Sequence, residues 1–280
     1  MNIVSSYPMA SATTFKCGGI AKWFVCPDDL FEFASLLKLH QGKKYFILGN
    51  GSNTLCPDKG YDGLVICTKN LNRIKHNETS VVCESGVDLF NLNSYLAENN
   101  LGGLEWSYGI PGTIGGATFM NSGAFGSSMS DFIEKVAIFD DNKIKLLYKN
   151  EINFSYRKSS LQGLPIFKVW LNLKKSDKEN IIKQQNLVFE ERKLKQPLTY
   201  PSAGSVFKRT ENIIPAKIID KLGLKGVKIG GAEISKKHSG FIVNSGGATS
   251  TDVLNLIKLI QEAVLGKENI RLEQEIIIME

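Results

Sequence analysis

Apolar positions along the chain repeat with two periods. Leu30, Phe31, Phe33, Leu36 and Leu37 follow Pro27-Asp28-Asp29, a helical spacing with proline and acids in the first turn. Asp88–Asn99 has the same character and is predicted to stop near Gly102-Gly103, because glycine commonly sits just past a helix end. Ile181–Leu194 reads as a charged helix and Pro215–Leu222 as a short one. Val253, Ile257, Ile260 and Val264 share one face of a helix capped by Ser250 or Thr251 and ending at Gly266. Short apolar or β-branched runs bounded by glycine and polar residues predict strands at 44–48, 64–67, 80–83, 166–173 and 240–244. Val136–Phe139 and Ile144–Tyr148 flank Asp140-Asp141-Asn142, which predicts a hairpin. Glu275–Ile278 is a strongly apolar terminal strand, expected to pair into a sheet rather than trail as a tail. The class is α+β.

At Gln196 the texture changes. Pro197, Pro201 and Ser202-Ala203-Gly204 cannot be helical and mark a domain boundary. A chain of 280 residues lies in the range of about 250–300 at which single cores stop growing, so two or three units are expected. With 42% hydrophobic and 22% charged residues, the composition excludes a disordered chain, a collagen and a disulfide-packed mini-protein. No apolar run approaches the roughly 18 residues of a membrane span. No basic residue precedes an apolar stretch between Met1 and Phe15, so no signal peptide and a cytoplasmic location are expected. Cys17, Cys26, Cys56, Cys67 and Cys83 form no C-x-x-C pair and read as small apolar residues, with no metal site. The formal charge, 34 − 28 = +6, suits the steering of an anionic ligand better than a nucleic-acid surface. The densest basic stretch, Lys221–Lys237, reads as a solvated face.

Two glycine-rich segments carry the chemistry. Gly49-Asn50-Gly51-Ser52-Asn53-Thr54 directly follows a predicted strand. Its backbone N–H groups and short polar side chains suit a diphosphate, although an ordinary tight turn has the same composition. It is not a P-loop, because no Gly-Lys-Ser/Thr follows, and Pro57 ends any helix opened there. The second segment, Gly109-Ile110-Pro111-Gly112-Thr113-Ile114-Gly115-Gly116-Ala117, continues through Met120-Asn121-Ser122-Gly123-Ala124-Phe125-Gly126. Its glycines alternate with apolar residues, unlike a flexible linker. It suits either a flat ligand laid against the backbone or a close crossing of elements. Together the segments favour a dinucleotide cofactor, whose identity composition does not specify.

These segments, in order, also carry a resemblance. Thr13-Thr14-Phe15-Lys16 with Gly18-Gly19, the Gly49–Leu55 loop, and the Gly109–Gly126 segment are followed by Phe154-Ser155-Tyr156-Arg157-Lys158-Ser159. Pro201-Ser202-Ala203-Gly204-Ser205-Val206-Phe207-Lys208, Lys237-His238-Ser239-Gly240-Phe241-Ile242-Val243-Asn244 and Leu272-Glu273-Gln274-Glu275 complete the set. Nearly end to end, the chain resembles the UDP-N-acetylenolpyruvoylglucosamine reductases, flavoenzymes of bacterial peptidoglycan synthesis. The resemblance implies an FAD-binding domain of the vanillyl-alcohol-oxidase (PCMH) type and a smaller α+β substrate-binding domain, with the C-terminal strand returning to the N-terminal part. The expected division is 1–43 with 269–280 and 44–195 for FAD, and 196–268 for substrate.

By the same resemblance, the residues Gly49 to Thr54, together with Gly109, Ile110, Pro111, Gly112, Thr113, Gly115 and Gly116, hold FAD. NADPH gives a hydride to FAD, which passes it to the enolpyruvyl group of UDP-N-acetylglucosamine enolpyruvate, yielding UDP-N-acetylmuramate. Arg157 is the expected electrophile, since its planar fork binds a carboxylate bidentately and stays charged. Glu275 is expected to assist, as a neutral acid or through a hydrogen-bonded network, and Ser205 to donate the proton. Tyr156, Lys208, His238 and Asn244 match positions lining or supporting the substrate site, with Lys208 toward the diphosphate. A monomer without membrane insertion is expected. Arg209-Thr210 follows Lys208 where Asn-Pro or Arg-Pro is usual, and Gln274 replaces the usual proline between Glu273 and Glu275. The short stretch between Arg157 and Ser205 places the chain in the subclass lacking an extra tyrosine-bearing loop. The rival readings are an alcohol or sugar oxidase on the same fold and a non-catalytic nucleotide-sugar-binding regulator.

Overall fold

The structure, a computed structural model, describes residues 2–280. They divide into two compact units. The first comprises Phe24–Asn50 and Val65–Glu191 with the N-terminal residues through Ile3; the second comprises Val4–Trp23, Gly51–Leu64 and Arg192–Glu280. Segments 4–23 and 51–64 thus group with the C-terminal residues, where the expected division joins 1–43 to 269–280.

In the first unit a five-stranded antiparallel sheet runs in the order 143–148, 133–140, 166–172, 80–84, 74–77. Alternation decides which face is buried: Val81, Cys83, Val136, Ile138, Val169 and Leu171 all lie in one core. Helices α2 (Leu89–Glu98) and α3 (Ile114–Phe119) contribute Leu89, Leu92, Leu96, Ile114 and Ala117 to it. The expected hairpin is present, and its turn residues Asp141 and Asn142 take φ of 49° and 60°. Two left-handed residues match the twist of the paired strands, and Asp and Asn tolerate that conformation best after glycine. Helix α1 (Leu30–Leu39) starts where Asp29 accepts hydrogen bonds from the N–H groups of Phe31 and Glu32. Helix α4, expected over 181–194, spans Lys178–Lys195.

The α2 helix stops before its expected glycines. Asn99 caps it, Asn100 turns the chain at φ 56°, and Leu101-Gly102 form a short strand with Lys174-Lys175. A four-stranded sheet has the order 3–8, 20–25, 61–67, 45–48.

The second unit contains an antiparallel sheet in the order 202–205, 241–244, 232–234, 228–229. Helices α5 (Pro215–Lys221) and α6 (Ser250–Glu268) accompany it. Val253, Leu256, Ile257, Ile260 and Val264 are the buried face of α6, each such side chain contributing about 1.5–3 kcal/mol. Thr249, not Ser250 or Thr251, caps this helix, with reciprocal bonds between Thr249 and Asp252. The helix runs through Gly266 and ends at Asn269, whose φ is 55°. The terminal strand is shorter than expected: Ile277-Ile278 pair in parallel with Thr54-Leu55, so the C-terminus does return to the N-terminal part. Among the described residues, no helix is long and apolar enough to cross a membrane.

Candidate active site

The first glycine loop follows strand 45–48 and is fixed at both ends. At its start Asn50 Nδ2 donates to Asp88 Oδ2 at 2.5 Å. At Gly49 a Cβ would stand 2.5 Å from Thr113 Oγ1, so only glycine permits this approach to the second glycine segment. At its end the loop belongs to the second unit. Gly51 accepts from the Thr14 N–H, and Asn53 Nδ2 donates to the Glu275 carbonyl at 3.1 Å. The Ile277 N–H donates to the Asn53 carbonyl at 2.9 Å.

The second segment is not loop throughout. Thr113 accepts from the Gly116 N–H at 3.2 Å and opens α3. Backbone bonds from Leu89 to Gly112, Ile114 to Val87 and Gly115 to Ser85 bind the segment to residues 85–89. Asp88 thereby joins both glycine segments: its side chain accepts from Asn50, its backbone bridges Thr113, and it also caps α2 by accepting from the Phe90 and Asn91 N–H groups. The sequence marked it only as a helix start.

The residues fit a flavin dinucleotide. Gly116 is exposed on α3, and a Cβ there would meet only Thr113 Oγ1, at 3.4 Å. Glycine within a helix costs about 0.5–1 kcal/mol relative to alanine, and nothing in the chain requires it here. The open backbone leaves room for a flat group to lie against it. Nearby, Ser85 Oγ and Thr118 Oγ1 are buried without a hydrogen-bond partner, capacity that a polar ligand can use.

Arg157 occupies the turn between the paired residues 154–155 and 158–159. Its φ of 55° places a bulky side chain in the left-handed region, at a cost of about 1–3 kcal/mol that is characteristic of functional positions. Its Nη2 donates to the Gly123 carbonyl at 2.9 Å, and its guanidinium carbon sits 4.8 Å from the centre of the exposed Tyr156 ring.

In the second unit, Ser205 ends strand 202–205 opposite Phe241 and is exposed. The next residues pair with the Glu273–Glu275 stretch. Phe207 bridges Gln274, the Lys208 N–H donates to Glu273, and the Glu275 N–H donates to Val206 at 2.7 Å. The segment after Ser205 is thus joined to Glu275 through the Val206 backbone. Lys208 Nζ is paired with Glu273 Oε1 at 2.5 Å. Gln274, in place of the usual proline, donates from its side chain to the Ile276 carbonyl at 2.7 Å.

His238 and Asn244 are engaged within the unit. His238 Nδ1 accepts from the Gly240 N–H, and its ring packs edge-on against Phe241. Burial lowers its pKa, as does the charge of Lys225, which favours neutral imidazole. Asn244 Nδ2 donates to the carbonyls of Phe15 and Lys16, and Oδ1 accepts from Gly246 and Ala248. Both donors and both lone pairs are committed to the chain. The cysteines are free thiols, and burial pushes Cys17 up to about 12 and Cys56 to about 11.

Residues 21–142 match the FAD binding domain family; with the glycine cradle, this defines a flavin-dependent oxidoreductase. Residues 196–279 match the C-terminal domain of UDP-N-acetylenolpyruvoylglucosamine reductase. The enzyme of that name from Clostridium tetani is 41% identical over 99% of this chain and 92% of its own length. Its namesake from Caldanaerobacter subterraneus subsp. tengcongensis is 43% identical over 97% and 92%. The crystal structure of the Thermus caldophilus reductase superposes with a TM-score of 0.85 at 34% identity, covering 100% of this chain and 98% of that one. The chain belongs to the UDP-N-acetylenolpyruvoylglucosamine reductase family.

Proposed function

We propose that Arg157, Ser205 and Glu275 carry the NADPH-dependent reduction of the enolpyruvyl group of UDP-N-acetylglucosamine enolpyruvate. The observation that supports this most is the hydrogen-bonded set joining Val206, next to Ser205, with Glu275 and the first glycine loop. Val206 accepts from the Glu275 N–H, and the Glu275 carbonyl accepts from Asn53. FAD, when bound by the two glycine segments, supplies the hydride that it has taken from NADPH. Hydride addition at the methylene carbon puts negative charge on the neighbouring carbon and, through it, on the carboxylate. Arg157 is the fixed cation for that charge, worth most where water is excluded. Ser205 Oγ gives its proton to the carbon, which works because an enolate is far more basic than a serine alkoxide is when partnered; water or a neighbour then restores the proton. Glu275 stabilises the same charge as a neutral acid or within a hydrogen-bonded network.

Residues 196–268 are assigned to the UDP-sugar. Lys208 exchanges Glu273 for the diphosphate, Tyr156 lines the site, and His238 and Asn244 support it. The stretch between Arg157 and Ser205 is occupied by strand 166–172 and α4, in keeping with the subclass lacking the tyrosine-bearing loop. A cytoplasmic monomer completes the reading; five free thiols suit a reducing compartment, and sedimentation tests the monomer.

The test is anaerobic visible spectroscopy of the holoenzyme. Flavin bands should bleach with NADPH and return with the enolpyruvyl substrate. Ser205→Ala should leave the bleaching intact and slow the return by about 10²–10⁴-fold, the usual contribution of a positioned proton donor. Bands that return only with oxygen would favour an oxidase. A Ser205→Ala variant with both phases unchanged removes Ser205 as the donor.

A further inference from the structure

Asn121 follows α3 at a position that glycine usually fills. The Ser122 N–H donates to the Ala117 carbonyl at 2.8 Å and the Asn121 N–H to that of Thr118 at 3.1 Å. Those two bonds are the Schellman stop, whose first residue beyond the cap is left-handed and most often glycine. Asn121 has φ 44°. The surrounding segment uses glycine at 109, 112, 115, 116, 123 and 126, so what distinguishes the asparagine here is what its side chain holds.

That side chain is buried and joins two elements. Oδ1 accepts from the Ser130 N–H at 3.0 Å, and Nδ2 donates to the Ser155 carbonyl at 3.0 Å. Ser155 is the last paired residue before the turn that contains Arg157. The other arm is fastened where Ser159 Oγ donates to the Phe119 carbonyl at 2.7 Å. A hairpin with two paired positions has little stiffness of its own, and its apex residue is in a strained conformation. Its aim therefore depends on these attachments to the end of α3.

We propose that Asn121 is a positioning residue for Arg157: it fixes the left-handed apex of the hairpin against the glycine segment so that the guanidinium meets the substrate carboxylate. This rests on the role given to Arg157 above. Both side-chain bonds of Asn121 go to the chain, to Ser130 and Ser155, so it acts through the hairpin. Its effect belongs to the oxidative half of the cycle, because reduction of the flavin by NADPH does not involve that carboxylate.

The experiment compares Asn121→Gly, Asn121→Asp, Arg157→Ala and the Asn121→Gly/Arg157→Ala double variant as holoenzymes in anaerobic stopped flow. Glycine keeps the left-handed backbone and the Schellman bonds of α3 while removing both side-chain bonds. Aspartate keeps the acceptor for Ser130 but sets a carboxylate against the Ser155 carbonyl. Flavin reduction by NADPH should be unchanged in both. Reoxidation by the enolpyruvyl substrate should slow by about 10–100-fold, the effect of a displacement on the order of 1 Å at a reacting group. Binding of the product UDP-N-acetylmuramate, which keeps the carboxylate, should weaken in calorimetry. In the Arg157→Ala background Asn121→Gly should add nothing, since two residues acting through one contact are not additive. Equal slowing of both half-reactions, or penalties that multiply in the double variant, would overturn the inference while leaving Arg157 in its role. An Arg157→Ala enzyme that reoxidises normally would overturn the role of Arg157 itself and the inference with it.

Discussion

Gly115 and Gly116 are neighbours on α3 with opposite surroundings. At Gly115 a Cβ would stand 2.7 Å from the Ser85 carbonyl oxygen and 2.8 Å from the Ser85 Cβ, so Gly115→Ala must push backbone aside. Overpacking of that kind costs about 1–3 kcal/mol, and urea unfolding of the apoprotein should show it. At Gly116 the same methyl has room. Gly116→Ala should stabilise the apoprotein by up to about 1 kcal/mol and yet weaken FAD binding, read as flavin fluorescence during titration. Tighter FAD binding by Gly116→Ala would mean that no ligand lies on this face of α3. Sequence made both glycines cofactor candidates without distinguishing them, because the difference lies in Ser85, thirty residues away in the chain. The same limit hid Asn121 and Asp88: each looks like a local stop or cap, and its second bond goes to a partner that no local pattern names.

Elements with strong periodicity were legible, and their ends were less so. The hydrophobic face of α6 is the one its spacing predicts, but the cap moved to Thr249 and the stop to Asn269. A capping box and a left-handed asparagine outweighed the glycine at 266. The N-terminus of α6 has a further partner. Asp58 accepts from the Ser250 and Thr251 N–H groups and from Thr251 Oγ1. Burial alone would raise the Asp58 pKa, but these hydrogen bonds prevail and lower it; bonds to Thr249 and Gly231 lower that of Asp252. A carboxylate with a depressed folded-state pKa contributes stability above its unfolded value, near 3.9, and loses it as pH falls through the folded one. Asp58→Asn should therefore unfold at lower urea than the parent at pH 7, by about 1 kcal/mol as for a lost helix cap. The difference should shrink as pH falls below the unfolded value and through the folded one, where the parent's own carboxylate takes up a proton. A difference that persists there would assign the effect to packing. The α3 helix was not legible for the converse reason: glycine propensity argues against it, and the Thr113 cap with buried Ile114 and Ala117 overrides that preference.

At the scale of the molecule, the terminal residues are structural rather than a tail. Ile276 and Met279 are buried, and Ile277-Ile278 pair with Thr54-Leu55. Removing residues 276–280 deletes two buried side chains, each worth about 2–5 kcal/mol when truncated, together with the pairing that fixes the first glycine loop. The shortened protein should lose FAD on gel filtration and unfold at lower urea. Retention of flavin at an unchanged midpoint would show that the loop needs no such support. The apolar pattern predicts that this strand pairs, and the family resemblance that it returns to the N-terminal part, but neither singles out Thr54-Leu55. Two short strands more than two hundred residues apart leave no local trace of their register.

The order in which the chain is made gives that pairing a further consequence. The last segment of the first unit ends at Glu191, so its core of residues 81–173 can close while synthesis continues. The core of the second unit combines Phe15, Cys17 and Leu55 with residues from Ala203 to Ile276. It cannot close until Ile276 has been added, 276 − 191 = 85 residues after Glu191, about 4–17 s at ribosomal rates of 5–20 residues per second. During those seconds the first glycine loop has its Asp88 anchor but not its strand from the C-terminus. Nascent chains interrupted after Glu191 would carry one finished unit and two apolar segments with no core to enter, which makes a late ribosomal pause the most hazardous for aggregation.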